Sequence, residues 1–184
     1  MDLVYVTGNK YKIEVAKNNL EPFGFNIIQK VIDCPEIQDD EIEKVSQFSA
    51  KYAANSLNMP VIKNDCGFII PALNGFPGAY AKYAEHTLGE DGLLKLMQGK
   101  ENRYCYFLEV VSYCEPNGEP VSFFSKTEGE ITHEKRGTDG IGYDYIFIPK
   151  GYSQTLAELD PSQTWKVWEP KALIDLKDYL LSKK

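Results

Sequence analysis

The sequence predicts a mixed α/β fold organised as a single domain over residues 1–184. Segments with strand and helix patterns alternate along the N-terminal part of the chain, which is typical of a sheet covered by helices. Farther on, two long strand-like runs, 103–114 and 120–132, are joined by a turn at 115–118 whose Asn-Gly pair favours a tight hairpin. With 184 residues, 43% of them hydrophobic, the chain is long enough to bury one sizeable core.

The N-terminal elements follow from the spacing of apolar residues. Ile13, Ala16 and Leu20 share one helix face. On the next helix the residues expected to face the core are Ile42, Val45, Phe48 or Ser49, and Tyr52. The predicted elements are strand 2–6, helix 10–21, strand 25–32, helix 39–57 and a short strand 61–63 that delivers Asn64 to Gly67.

The C-terminal elements show the same kind of signals. A glycine-rich turn at 137–142 precedes a strand, and the last helix begins near Pro170, because proline is tolerated in the first turn of a helix. The predicted elements are helices 79–86 and 90–98, strands 103–114, 120–132 and 143–148, and a final helix from about residue 170.

The composition excludes several classes of function. A net charge of −7 argues against binding long nucleic acids, because such binding needs a basic surface that displaces counterions. No apolar run approaches the roughly 20 residues that span a bilayer, so we expect no membrane partner and a cytoplasmic location. The four cysteines lack the CxxC spacing of a zinc site, and we expect reduced thiols.

The first turn of the chain has the pattern of an anion site. An apolar strand runs into Thr7-Gly8-Asn9, and a helix with Lys10 and Lys12 follows. Gly8 allows close approach of a ligand, Asn9 can cap the helix, and the first N–H groups of the helix point outward. The pattern indicates a phosphate or carboxylate ligand; the alternative is a surface helix with ordinary lysines.

Two carboxylates stand where strands and loops deliver ligands. Glu36 follows a proline in a loop, and Asp65 comes directly after the predicted short strand. Mg²⁺ binds one or two protein carboxylates and takes further oxygens from water and substrate phosphates. The pair therefore suggests a metal site beside a phosphorylated ligand; the alternative is a solvated Glu36 and a turn residue at Asp65.

The segment Gly140-Ile141-Gly142-Tyr143-Asp144 has two interpretations. Its glycines allow close approach of a flat ligand and its aromatic ring could stack on a base, or it forms a tight turn before a strand. Trp165 and Trp168 lie three residues apart, a spacing more typical of core or interface packing than of ligand stacking.

Taken together, these segments resemble the inosine triphosphate pyrophosphatase family, also called HAM1-like or non-canonical purine NTP pyrophosphatases. The resemblance runs through six ordered motifs over about 150 residues of the chain. They are Thr7-Gly8-Asn9-Lys10-Tyr11-Lys12, Pro35-Glu36-Ile37-Gln38, Asp65-Cys66-Gly67-Phe68, Asn74-Gly75-Phe76-Pro77-Gly78, Gly140-Ile141-Gly142-Tyr143-Asp144 and Thr155-Leu156-Ala157-Glu158-Leu159.

The resemblance implies a fold and an activity. The family fold is an elongated α/β structure with a mixed central sheet flanked by helices and a nucleotide cleft between two lobes, and members are usually homodimers. They bind ITP, dITP or XTP and, with Mg²⁺ (Mn²⁺ is the alternative), split the α–β phosphate bond to give the monophosphate and pyrophosphate.

The resemblance also implies roles for individual residues. The expected catalytic residues are Asp65, Glu36 and Lys12, and Glu36 and Asp65 would coordinate the metal. The residues expected to bind the purine nucleoside triphosphate are Thr7, Gly8, Asn9, Lys12, Gly67, Tyr143, Asp144 and Trp168.

Several positions depart from the family pattern. Asn64 replaces the acidic residue that usually precedes the aspartate, which removes a negative charge beside the proposed metal, and Cys66 replaces serine or threonine. Ile141 stands where an aromatic ring commonly stacks on the base, a contact worth about 1–3 kcal/mol. The C-terminal K-x-x-x-S-H-R motif becomes Gln163, Val167, Trp168 and Glu169.

The departures at Ile141, Trp168 and Glu169 concern the side of the site that would bind the base. Glu169 would reverse the charge of the family arginine, and a carboxylate cannot donate a hydrogen bond to the 6-oxo group of inosine. Lys166 or Lys171 is the candidate substitute cation after a local shift, and Trp168 is the candidate for the missing ring.

Two functions remain open at the level of sequence. The first is a Mg²⁺-dependent pyrophosphohydrolase of deaminated purine nucleotides, favoured by the presence of Thr7, Lys12, Glu36 and Asp65. The second is a catalytically weakened dITP sensor subunit that signals to a heteromeric effector partner, for example in a defence complex. A scaffold subunit that keeps only the fold is a third option.

Overall fold

The computed structural model describes residues 1–35 and 37–183, which cluster into two compact units. Unit 1 contains Met1–Asp65, Glu109–Ser125 and the C-terminal segment from Pro170, and unit 2 contains Cys66–Leu108 and Lys126–Glu169. Three strands contribute residues to both units. In the described residues no helix is both long and apolar enough to cross a membrane.

The described elements alternate as the sequence predicts. The strands are β1 (Asp2–Val6), β2 (Asn26–Lys30), β3 (Val61–Ile69), β4 (Pro77–Gly78), β5 (Tyr104–Cys114), β6 (Val121–Ile131) and β7 (Phe147–Pro149). The helices are α1 (Lys10–Leu20), α2 (Ile42–Leu57), α3 (Ala81–Thr87), α4 (Gly89–Leu96), α5 (Pro161–Val167) and α6 (Lys171–Ser182).

The strands form one mixed sheet. Its order is β2-β1-β3-β5-β6-β7, with β4 paired to β3. β1 is parallel to β2, from Asp2 opposite Asn26 onward, and also parallel to β3, with Tyr5 opposite Ile62. β3–β4 and β6–β7 are antiparallel pairs. The predicted α/β class with a mixed central sheet flanked by helices is therefore confirmed.

In unit 1 the side chains of β1 point alternately into two apolar clusters. Leu3 and Tyr5 pack with α1 and α6 on one side. Val4 and Val6 pack with α2 on the other. Because β1 is buried on both faces and hydrogen-bonded on both edges, its carboxyl end is held firmly.

The predicted core face of α2 is confirmed in part. Ile42 is buried, and so is Ser49, the alternative to Phe48, whereas Phe48 and Tyr52 are each 40% exposed. The rest of the buried face consists of Ser46, Ala50, Ala53 and Ala54. Small side chains let the helix approach the sheet closely, and the hydroxyl of Ser46 donates a hydrogen bond to the Val110 carbonyl at 3.2 Å.

The core of unit 2 contains a cluster of aromatic rings among aliphatic side chains, and we call this cluster the aromatic core. Phe68 stacks on Phe107 at 4.5 Å between ring centroids and lies 4.7 Å from the ring of Tyr143. The Phe147 ring meets Phe107 edge to face at 4.9 Å. Offset and edge-on contacts of this kind add about 0.5–1.5 kcal/mol each beyond area burial.

Two further predictions on element bounds need correction, and one helix was missed. The strand expected at 61–63 continues to Ile69, because its second half pairs with β4. Asp65 therefore lies within a strand rather than after one. Residues 142–145 form a 3₁₀ turn and shorten the strand expected at 143–148 to β7. The short helix α5, capped by Asp160, was not predicted.

We expect Leu176→Ala to lower the free energy of unfolding by about 2–5 kcal/mol, because it empties a fully buried position between α6 and the sheet. Urea denaturation followed by circular dichroism measures the change. Ile174→Ala, at a position of the same helix that is 38% exposed, is the matched control. Equal losses for both variants would contradict this packing.

Candidate functional site

The turn after β1 is closed by its own side chains. The Thr7 hydroxyl accepts a hydrogen bond from the Asn9 N–H at 3.1 Å. Asn9 Oδ1 accepts from the N–H groups of Tyr11 at 2.9 Å and Lys12 at 3.4 Å. Asn9 is thus the N-cap of α1, as the sequence predicts, and the cap engages its Oδ1 rather than its Nδ2.

The space in front of this turn is open. A Cβ added at Gly8 would meet nothing within 4 Å, and Gly8, Asn9 and Lys10 are exposed. The positive end of the α1 dipole points here, so an anion would be stabilised. Thr7, Gly8 and Asn9 therefore lie together where a phosphate group could approach.

Lys12 is anchored on the neighbouring strand β3. Its Nζ donates to Asn64 Oδ1 at 2.9 Å, and Asn64 Nδ2 in turn donates to Glu109 Oε1 at 2.6 Å. These two partners define which way the amide faces. The three side chains form a continuous chain from α1 through β3 to β5, which we call the lysine–amide–glutamate chain.

Asp65 follows Asn64 along β3, and its Oδ2 is buried. The carboxylates of Glu109 and Asp65 both act on Tyr5, whose pKa is raised well above its ordinary value, first by burial and then by these two negative charges. Two carboxylates therefore concentrate negative charge near the carboxyl end of β1.

Asp65 is the candidate metal ligand that the structure describes in unit 1. Among residues 1–35 and 37–183, no group of three or more His, Cys, Asp or Glu side chains is placed to hold a metal ion. Mg²⁺ in proteins commonly binds only one or two carboxylates and takes its other oxygens from water and phosphate. Glu36, the predicted second ligand, lies outside the described residues.

In unit 2 the predicted ligand residues pack around the aromatic core. Tyr143 is buried, and its hydroxyl donates to the Ala81 carbonyl at 2.7 Å. Burial, followed by Glu85 and Glu90, raises the pKa of Tyr143, so the phenol stays neutral. Gly67 is buried on β3 beside Phe68. The direct role of Tyr143 is thus packing, and a contact with a base stays a prediction.

The loop before Tyr143 is shaped by Asp144 and Gly142. Asp144 Oδ2 accepts from the Ile141 N–H at 3.1 Å, and burial raises the pKa of this carboxyl. Gly142 has a φ of +52°, and a Cβ there would lie 2.5 Å from the Glu85 carboxylate carbon. Ile141 is 80% exposed. The aliphatic side chain of Ile141 is thus exposed to solvent in this loop.

The Thr155–Leu159 motif supports that loop from behind. The Glu158 carboxylate accepts from the Thr155 N–H at 2.7 Å and pairs with Arg136 at 2.8 Å. The Ala157 carbonyl accepts from the N–H groups of Thr138 and Asp139, each at 3.3 Å. The motif, for which the sequence alone predicts no role, thus fixes the backbone of the 137–142 turn through these hydrogen bonds.

The divergent C-terminal segment lies on α5 and just after it. Gln163 and Glu169 are exposed, whereas Val167 and Trp168 pack against the core of unit 2. The Trp168 ring meets Phe107 edge to face at 5.3 Å. Of the candidate substitute cations, Lys171 pairs with Asp175 on α6, and Lys166 lies in the last turn of α5.

Sequence reasoning missed Glu109. The available signal was a single carboxylate within the otherwise uncharged run Tyr104–Cys114. A strand that includes one acid among apolar and aromatic residues places that charge beside the sheet, where it needs a partner. The partner, Asn64, is distant in sequence and close only in the folded chain.

A cavity of about 410 Å³ lies elsewhere in unit 2, and none of the predicted ligand residues lines it. Its lining includes Glu128, Glu130 and Lys150. The Glu128 carboxylate accepts from the Tyr104 hydroxyl at 2.7 Å, from Lys150 at 2.9 Å and from Lys126 at 3.2 Å. These donors, Tyr104 first and then Lys150, lower the pKa of Glu128 to about 2.

The chain is similar to known proteins over most of its length. The model of the Ham1 family matches residues 3–170. A Methanopyrus kandleri protein named dITP/XTP pyrophosphatase is 45% identical over 167 residues, covering 91% of this chain and 89% of that protein. A Thermococcus kodakarensis protein of the same name is 41% identical over 159 residues, covering 86% and 85%.

Solved structures show the same fold. The HAM1 protein of Coxiella burnetii matches with a TM-score of 0.85 at 26% identity, over 99% of both chains. The Ham1 protein of Staphylococcus aureus matches with a TM-score of 0.85 at 27% identity, over 100% of both chains.

We expect Glu128→Gln to flatten the acid limb of the stability curve. The folded-state pKa of Glu128 is lowered from 4.5 to about 2, so its stabilising effect is present above pH 4.5 and is lost as pH falls toward 2. Melting temperatures measured from pH 6 to pH 2 test this. Glu130→Gln, which removes a carboxylate from the same cavity, is the control; an unchanged slope in Glu128→Gln would contradict the expectation.

Proposed function

Because this chain belongs to the Ham1 family and is a nucleoside triphosphate pyrophosphatase, we propose that its substrates are the deaminated purine nucleotides dITP, XTP and ITP. The bond cleaved is the α–β phosphoanhydride, and the products are the nucleoside monophosphate and pyrophosphate. The named relatives support the substrate class.

The observation that carries this proposal is the capped turn in front of α1 with Lys12 anchored beside it. The turn lies at the positive end of the dipole of a helix of 11 residues, and Lys12 supplies an ammonium that is held by Asn64. Thr7, Gly8 and Asn9 would surround the phosphate groups. A triphosphate needs several such donors, because its charge is spread over many oxygens.

The reaction then requires little beyond positioning and charge stabilisation. A water oxygen forms a bond to the α-phosphorus, the bond from that phosphorus to the bridging oxygen breaks, and its electron pair leaves with pyrophosphate. We assign Asp65 to orient the water and accept its proton, and Lys12 to stabilise the charge on the leaving group.

Mg²⁺ fits the donor chemistry of unit 1, and Mn²⁺ prefers similar oxygen ligands. We propose Asp65 and Glu36 as the protein ligands. When bound, the cation would neutralise phosphate charge and polarise the phosphoryl group. The lysine–amide–glutamate chain adds one positive charge, on Lys12, and one negative charge, on Glu109, to the same side of unit 1.

We propose that residues of unit 2 bind the base in place of the C-terminal residues that the family usually uses. Gly67, Tyr143 and Asp144 belong to the aromatic core and the loop beside it, and Trp168 packs on Phe107 within that core. Trp168 supplies the ring that Ile141 does not. Glu169 lacks a donor for the 6-oxo group, so we expect weaker discrimination against adenine nucleotides than an arginine would give.

We further propose that the enzyme forms homodimers and acts in the cytoplasm. Light scattering on the purified chain tests the dimer. The alternative function, a dITP sensor that signals to an effector partner, is favoured by the changes at Val167, Trp168 and Glu169. It requires binding of dITP without turnover, whereas hydrolysis of dITP by the purified chain alone would exclude it.

We expect pyrophosphate release from dITP, XTP and ITP in excess over ATP and GTP in the presence of Mg²⁺. Asp65→Asn should lower kcat by about 10²–10³-fold while the melting temperature stays near that of the parent chain, because the carboxylate acts on the reaction rather than in the core. Asp91→Asn, at an exposed carboxylate of unit 2, is the control. Full activity of Asp65→Asn would contradict the assignment.

We expect Trp168→Ala to raise KM for dITP by about 5–100-fold, which corresponds to the loss of about 1–3 kcal/mol of base stacking. Trp165→Ala, at an exposed position three residues away, should leave KM nearly unchanged. The two variants are compared in steady-state assays. A similar KM in both would show that Trp168 does not contact the base.

A further inference from the structure

Glu109 is a charged residue in a strand of otherwise uncharged residues. It lies on β5, half-buried, between Leu108 and the fully buried Val110. Among residues 1–35 and 37–183, the hydrogen-bond partner of the Glu109 carboxylate is Asn64, whose Nδ2 donates to Glu109 Oε1 at 2.6 Å. A carboxylate in this position costs desolvation energy, which its hydrogen bond offsets in part.

Asn64 transmits the effect of Glu109 to Lys12. An amide has an acceptor side and a donor side, and in Asn64 both sides are engaged. Asn64 is only 7% exposed, so water cannot readily replace either partner. Without a carboxylate on β5 the amide could rotate and turn its N–H groups toward the Lys12 ammonium, where two sets of donors would face each other.

The position of Lys12 Nζ depends on this contact. A lysine side chain has a flexible stem and a large rotamer entropy, so an ammonium without an anchor samples many positions. The hydrogen bond to Asn64 engages one of its three N–H donors and restricts the others.

We propose that Glu109 is a positioning residue for the pyrophosphatase reaction: through the Asn64 amide it holds Lys12 Nζ where charge develops on the leaving pyrophosphate. This inference rests on the proposed function, since it takes Lys12 to bind substrate phosphate. Glu109 itself touches neither the substrate nor the water.

The decisive variants are Glu109→Leu, Asn64→Asp and the exchange Asn64→Asp with Glu109→Gln. The exchange moves the carboxylate to β3 and the amide to β5, so Lys12 again has an acceptor and the charge is unchanged. Asn64→Asp alone places two carboxylates in contact. Glu119→Leu, at an exposed carboxylate of the same unit paired with Lys51, is the control.

Two readouts separate positioning from folding. Steady-state release of pyrophosphate from dITP gives kcat and KM, and calorimetry with inorganic tripolyphosphate in the presence of a chelator gives a metal-free affinity. We expect kcat to fall about 10–100-fold in Glu109→Leu and in Asn64→Asp, the size of loss that is typical when a residue supporting a functional group is removed.

The affinity for tripolyphosphate should behave differently. In Glu109→Leu it should stay within threefold of the parent chain, because the Lys12 ammonium is still present and a repelling carboxylate is gone. The exchange should recover kcat to within threefold of the parent chain.

The outcomes are distinguishable. A parent chain that turns over dITP together with a folded Glu109→Leu of normal kcat overturns the positioning role alone. A folded exchange variant that remains tenfold or more impaired also overturns it, and this variant decides the matter if Glu109→Leu does not fold. A parent chain that releases no pyrophosphate overturns the proposed function as well.

Discussion

The pairing of β1 between β2 and β3 is the constraint on which the rest of the phosphate-binding side depends. β1 is parallel to both neighbours, and its side chains are buried in two different clusters. A strand held in this way cannot shift in register without exposing one of these clusters. Its carboxyl end therefore delivers Thr7 and the cap of α1 at a fixed place. The N-terminus of α1 and the Lys12 side chain take their positions from that point.

The sequence was most informative where structure is determined locally. The strand, turn and helix at residues 2–20 follow from apolar spacing and from the capping chemistry of Asn9. The strand, the helix and its cap were all predicted correctly. The length of β3 was not, because its second half exists through pairing with Pro77 and Gly78. On α2 the prediction was wrong at Tyr52, and of the alternatives Phe48 and Ser49 the serine is the buried residue, because close approach to the sheet selects small side chains.

The lysine–amide–glutamate chain illustrates what a linear motif leaves out. Judged from its own segment, Asn64 removes a negative charge from the site. In the folded chain the Asn64 amide is bonded to a carboxylate, that of Glu109, 45 positions farther along and on an adjacent strand. The charge beside a motif can therefore come from a strand that the motif does not include. The ring of Trp168 likewise packs in the aromatic core of unit 2, away in sequence from Ile141.

The buried tyrosine of β1 has a consequence for the pH range in which this side of the molecule keeps its charge. A phenol of ordinary pKa would be half ionised near pH 10 and would add a negative charge near Asp65 and Glu109. Burial, followed by those two carboxylates, raises the pKa of Tyr5 well above its ordinary value, so the phenol stays protonated beyond that point. In alkaline medium Tyr5 therefore adds no negative charge that would repel a polyanion from this end of β1.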